Sequence, residues 1–132
     1  MMNENYFSEN KLQQLCTDLR GSIHTPGLYQ ENMQLIAQTM MEYPHCAVPH
    51  NLMGLLLEEY GNHALAMRHF RAAYSLDPSY LPARQNLELY GTFAGNKRPA
   101  FDESDCSDPE EKQYEIVYDE KHIGHLVRRK TK

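Results

Sequence analysis

The sequence predicts an all-α fold, a short stack of helical hairpins, and three observations carry that reading. Between His50 and Pro78, small and large apolar residues recur at helix-packing spacing: Met53-Gly54 with Leu57, then Ala66, Phe70 and Ala73, then Pro78. Shifting the chain by about 34 residues lays Gly27, Gly61 and Gly95 over one another. The same shift lays Pro44 over Pro78, Leu19 over Met53 and Leu87, and Ile36 over Phe70. Finally, helix punctuation bounds the apolar stripes: Gly21, Thr25-Pro26, Pro44, Gly61-Asn62 and Asp77-Pro78-Ser79.

Each element has a local reason. A first helix is predicted from Ser8 as N-cap, with Leu12, Leu15, Cys16 and Leu19 as its stripe and Gly21 as its stop. Thr25 caps a second helix with Pro26 in its first position, and Tyr29, Met33, Ile36 and Met40 form its inward face up to Pro44. The third helix, Ala47 to Tyr60, is apolar almost all round through Leu52, Met53 and Leu55–Leu57, as suits a helix with neighbours on several sides. Gly61-Asn62 turns the chain into a fourth helix, which directs Ala66, Phe70, Ala73 and Tyr74 inward. Pro78 ends it, since proline supplies no amide donor and crowds the preceding turn. A fifth helix, Tyr80 to Tyr90, places Leu87 inward and Arg84, Gln85 and Glu88 outward, a polar face fit for the end of a stack.

The pattern from His50 to Pro78 resembles the tetratricopeptide repeat, a helix–turn–helix unit of about 34 residues. Its structural positions here are Met53, Gly54, Leu57, Gly61, Ala66, Phe70, Ala73 and Pro78. The likeness covers residues 47–80 most fully. It is degenerate over 13–46, where Arg20 stands in the place of Gly54 and Asn32 in that of Ala66. Over 81–95 only a first helix remains, and beyond Gly95 there is none. The resemblance implies a right-handed α-superhelix fragment of about two and a half repeats, a solenoid whose first helices line a concave groove. Carried to this chain, the groove comprises Gln14, Thr17 and Asp18, then Asn51, Leu52, Leu55 and Glu58 with Glu59 near the rim, then Gln85, Asn86 and Leu89. The subtype that clamps a C-terminal carboxylate is disfavoured, because its stations here hold Thr17, Gly21, Leu52, Pro82 and Asn86, of which only Asn86 agrees.

Three segments follow: a helical repeat domain over 8–95, an acidic flexible linker over 96–112, and a C-terminal tail over 113–132. In the linker, Pro99 and Pro109 bracket Asp102, Glu103, Asp105 and Asp108. In the tail, Tyr114, Ile116 and Tyr118 alternate with Glu115 and Val117. Asp119-Glu120-Lys121 can turn into Ile123, Leu126 and Val127, giving a small β-hairpin or else a disordered end. A lone hairpin is marginal in water and must lean on the last helix or on a partner.

Composition narrows the function. No apolar run approaches the roughly 18 residues of a membrane span. Met1-Met2-Asn3-Glu4-Asn5 lacks the basic and apolar segments of a secretory signal. Three scattered cysteines fit thiols in a reducing cytoplasm, and a net charge of −5 disfavours general nucleic-acid affinity. His45-Cys46 with His50, and His122 with His125, lack the paired spacing of zinc ligands. No nucleophile–base set or phosphate-binding glycine loop is present, so the expectation is no enzyme, no metal and no cofactor.

The expected role is a non-catalytic scaffold that holds a peptide or helix of another protein in the groove. That partner would bring apolar anchors and basic residues to an acidic rim. The chain's own tail or a second copy could cover the same surface. The alternative is a regulatory or nucleic-acid-associated factor acting through Arg128-Arg129-Lys130 and Lys132, or a self-assembling scaffold.

Overall fold

The computed structural model describes residues 4–92 and 98–106, together with the strands 114–118 and 124–128. The fold is all-helical apart from those strands: α1 is Glu4–Ser22, α2 Tyr29–Glu42, α3 Ala47–Glu59, α4 His63–Leu76 and α5 Leu81–Gly91. Single 3₁₀ turns precede α2 at Pro26–Leu28 and lie in the segment after α5 at Glu103–Asp105. The strands β1 (Tyr114–Tyr118) and β2 (Gly124–Arg128) pair antiparallel, Ile116 opposite Leu126. The expected turn at Asp119-Glu120-Lys121, the acidic run 107–112 and the basic end Arg129-Lys130 with Lys132 lie outside the described residues. Among the described residues, no helix is long and apolar enough to cross a membrane.

The centre of the molecule is α3, which packs on all four other helices and most extensively on α4. Its sequence explains this: Asn51 through Leu57 are buried without interruption. Its end is set by Gly61, whose φ of +88° is open to glycine and strained for other residues. Gly61 N donates to Glu58 O and Asn62 N to Leu57 O, the paired bonds of a glycine-terminated helix. Asn62 then caps α4 by accepting from Leu65 N at 3.4 Å. The register noted in the sequence carries burial with it, since Leu19 with Met53, and Ile36 with Phe70, are all in the core.

The α3–α4 crossing depends on Gly54. A Cβ there would lie 2.5 Å from Phe70 Cε1 and 2.7 Å from Cδ1. The Phe70 ring has nowhere to turn, being fully buried and stacked on Tyr90 with centroids 5.7 Å apart. Ala66 is fully buried as well.

Several local expectations are corrected. The first helix is already formed at Glu4, the first described residue, so Ser8 is not its N-cap; Lys11 stands where a capping box needs Glu or Gln. It runs through Gly21 to Ser22: one glycine weakens a helix by only about 1 kcal/mol, and the stop comes from Pro26 downstream. In α2 the buried face is Asn32, Ile36 and Thr39, with Tyr29, Met33 and Met40 half-buried beside it. Asn32 thus occupies the position of Ala66 with its amide donating to Ser22 Oγ. Tyr74 is exposed. Gln85 is buried instead of facing water, and residues 98–106, expected as a solvated linker, pack back onto the helices with Ala100 fully buried. The cause of both is one set of hydrogen bonds, described below.

Gly54→Ala is expected to lower stability by about 1–2 kcal/mol despite alanine's better helix propensity. Phe70→Leu should then cost less in that background than in the wild type. Urea denaturation of the four chains measures both, and a stabilised Gly54→Ala chain contradicts the close crossing.

Candidate functional site

Helices α1, α3 and α5 form the walls of a channel, and residues 98–106 lie in it. The side chains reaching the segment are Gln13 and Arg20 from α1, Asn51 from α3, and Gln85 and Asn86 from α5. Gln13 and Arg20 are seven residues apart, two helical turns, and so share one face of α1.

At the floor of the channel two asparagines hold the main chain of one residue. Asn51 and Asn86 are both fully buried. Asn51 Nδ2 donates to Ala100 O at 2.9 Å and Asn86 Nδ2 to the same oxygen at 2.8 Å. The Ala100 amide donates to Asn86 Oδ1 at 2.9 Å, and Asn86 Nδ2 also donates to Asn51 Oδ1 at 2.8 Å. The pair therefore satisfies both main-chain groups of one residue and orients itself at the same time. Each buried polar group left unmet would cost about 1–3 kcal/mol. Among the described residues no buried side-chain nitrogen or oxygen is left without a partner. Gln85 adds a second main-chain contact, donating to Arg98 O at 2.7 Å and Asp105 O at 3.0 Å, and so draws the two ends of the segment together.

Above this floor runs an ionic layer. Asp102 accepts from Gln13 Nε2 at 2.8 Å and meets Arg20 Nη2 at 3.1 Å. Arg20 also pairs with Asp105 and lies over the Phe101 ring, 5.5 Å from its centroid. Inside the segment, Asp102 accepts from Ser104 N at 2.9 Å and from its hydroxyl, while Phe101 N donates to Asp105 Oδ2 at 3.0 Å. The segment is thus a turn with two of its carboxylates, Asp102 and Asp105, aimed at the Arg20 guanidinium. Burial alone would raise the Asp102 pKa, but the hydrogen bonds from Ser104, Gln13 and Arg20 outweigh it and hold the carboxyl down to about 2.

The residues expected to line the groove divide four ways. Asn51, Gln85 and Asn86 meet in the channel. Leu52 and Leu55 are core, at 0% and 3% exposure, and Leu89 is half-buried. Gln14 and Asp18 bond to each other on an adjoining side of α1. There they line an open cleft of about 530 Å³ with Leu15, Leu35, Thr39 and Tyr43. Thr17 is exposed and donates to Gln13 O. The acidic rim is matched by histidines, Glu58 by His63 at 2.8 Å and Glu59 by His24 at 2.7 Å. Gln13, Arg20 and the segment's own Ala100, Asp102 and Asp105 were missed. The face of α1 was placed one residue, or about 100°, away. Arg20 in the repeat position of Gly54 is the available signal.

Other reactive groups are spread apart. Burial pushes the Cys16 thiol up to about 12, which leaves it protonated. His50 stacks on His69 across α3 and α4 with their Nδ1 atoms 3.2 Å apart, and burial lowers both pKa values, with His50 adding to the effect on His69. Among the described residues, no three His, Cys, Asp or Glu side chains are grouped to hold a metal ion. His122 and the side chain of His125 lie outside the described residues. The chain matches no protein-family model, no curated protein and no solved structure.

Because the folded pKa of Asp102 lies below its ordinary value, its contribution is fully present above about pH 4 and fades as pH falls toward 2. The contribution is on the order of 1–2 kcal/mol, tempered because the Arg20 side chain is 39% exposed. Asp102→Asn is expected to be less stable than the wild type at pH 6, with the gap narrowing from pH 4 to 2.5. Urea midpoints across that range measure it, and a constant gap contradicts the ionic layer.

Proposed function

We propose that the chain is a short, non-catalytic repeat module of the tetratricopeptide type whose α1–α3–α5 channel captures a turn-forming segment of another protein. The observation that carries this reading is the Asn51–Asn86 clamp, which satisfies both the N–H and the C=O of a single residue. Recognition through main-chain groups suits a peptide site, because it supplies affinity that any residue can use, while neighbouring side chains set preference.

The repeat assignment draws support from the matched burial of Leu19 and Met53, Ile36 and Phe70, and Asn32 and Ala66. Such stacked hairpins would form a short solenoid in which α1, α3 and α5 face the ligand. The strands β1 and β2 would then form the small C-terminal hairpin beyond it. A non-catalytic role fits the channel's chemistry, which consists of carboxamides and a guanidinium already matched to carboxylates, with no group poised as nucleophile or base. Cys16 and Cys46 as thiols suit a reducing, cytoplasmic setting.

The full chain carrying Asp102→Ala and Asp105→Ala has its internal segment weakened, and circular dichroism verifies its helicity. Panned against a random peptide library, it is expected to select a consensus, and adding Asn86→Leu is expected to abolish the selection. A folded variant that selects nothing contradicts the capture role.

A further inference from the structure

We infer that the channel reads acidic turns of the form small residue–aromatic–Asp–x–Ser–Asp, and that residues 100–105 are an intramolecular copy of that ligand. This rests on the capture role proposed above and names the ligand chemistry. Among the described residues, the contacts that hold the segment belong to nine contiguous residues, 98–106. A linear piece of another chain with the same side chains can reproduce every one of them.

Each position has a physical requirement. Ala100 is fully buried between the two clamping asparagines, so a larger side chain meets a closed wall. The aromatic ring of Phe101 is covered by the Arg20 guanidinium. Asp102 serves two purposes, accepting from Gln13 and Arg20 of the channel and from Ser104 N of its own turn. Asp105 completes the pairing with Arg20 and accepts from Phe101 N, which locks the turn. The channel contributes one guanidinium and four carboxamides, from Gln13, Asn51, Gln85 and Asn86, a set that favours carboxylates and main chain and rejects a lysine or arginine at the two aspartate positions.

The internal copy also sets the threshold for an external ligand. Five residues, 93–97, join Thr92 of the last helix's end to Arg98. So short a tether gives an effective concentration in the millimolar range. An external segment of equal intrinsic affinity is outcompeted in the wild type, and weakening the internal copy opens the channel to it.

The test uses a fluorescein-labelled peptide of residues 97–107 carrying Cys106→Ser, titrated by anisotropy into three full-length chains. These are the wild type, the Asp102→Ala/Asp105→Ala chain, and that chain with Arg20→Ala added. The double variant is expected to bind at least about tenfold more tightly than the wild type, and adding Arg20→Ala to lose about tenfold or more. Peptides carrying Ala100→Leu or Asp102→Asn should bind the double variant at least about tenfold more weakly. Lack of binding by a double variant that retains its helicity overturns the inference, as does binding indifferent to Arg20. If library selection still returns an Asn86-dependent but non-acidic consensus, the capture role stands and only this ligand assignment falls. If neither assay gives binding, both fall.

Discussion

Two buried carboxamides, Asn51 and Asn86, govern the rest of the structure. An amide removed from water must find partners inside, and these two find only one of theirs in each other. The remaining donors and acceptor open into the channel and are met by the main-chain N–H and C=O of a single residue, Ala100. A pair of apolar residues at these positions would have sealed α3 against α5 and left nothing for residues 98–106 to hold. Instead the helices present a slot shaped for polypeptide main chain, and the chain fills it with its own.

Such a slot needs rigid walls. Those walls come from the α3–α4 crossing, where Gly54 lets Phe70 sit against the helix backbone and Phe70 in turn carries Tyr90 of α5. At the other end, Tyr60 lies on Tyr29 at 4.7 Å and donates to Ile23 O at 2.9 Å, tying α3 to the connection between α1 and α2. The clamp on α3 and α5 is therefore set by packing on the far side of both helices. The ionic layer on α1 is less constrained, since Arg20 reaches in from a partly exposed position. Main-chain capture is built into the core, and side-chain preference is built at its edge.

The helices were legible in the sequence because their determinants are local. Gly61 with Asn62 ended α3 and began α4 as written, and the stripe of Ala66, Phe70 and Ala73 named the buried face of α4. Helix faces were harder wherever a polar residue is buried: Asn32, Thr39 and Gln85 lie inside because each has a hydrogen-bond partner there, one of them 20 positions away. The site was half legible. Asn51 and Asn86 fall at groove positions implied by the repeat pattern, yet the occupant reads as an acidic linker by composition. Its order comes from Arg20, Gln13 and Gln85, which lie distant in sequence, and no local signal in Asp102–Asp105 reports them.

The amide proton of Ala100 tests the whole arrangement, because its acceptor, Asn86 on α5, is itself held by Asn51 on α3. Hydrogen exchange of the wild-type chain should show it protected to a degree comparable with the amides of α3. Replacing Asn86 with Leu should remove that protection while the helix amides keep theirs. Exchange of the Ala100 amide at the rate of an unstructured chain in the wild type would mean that the channel does not hold the segment, and the account would be wrong.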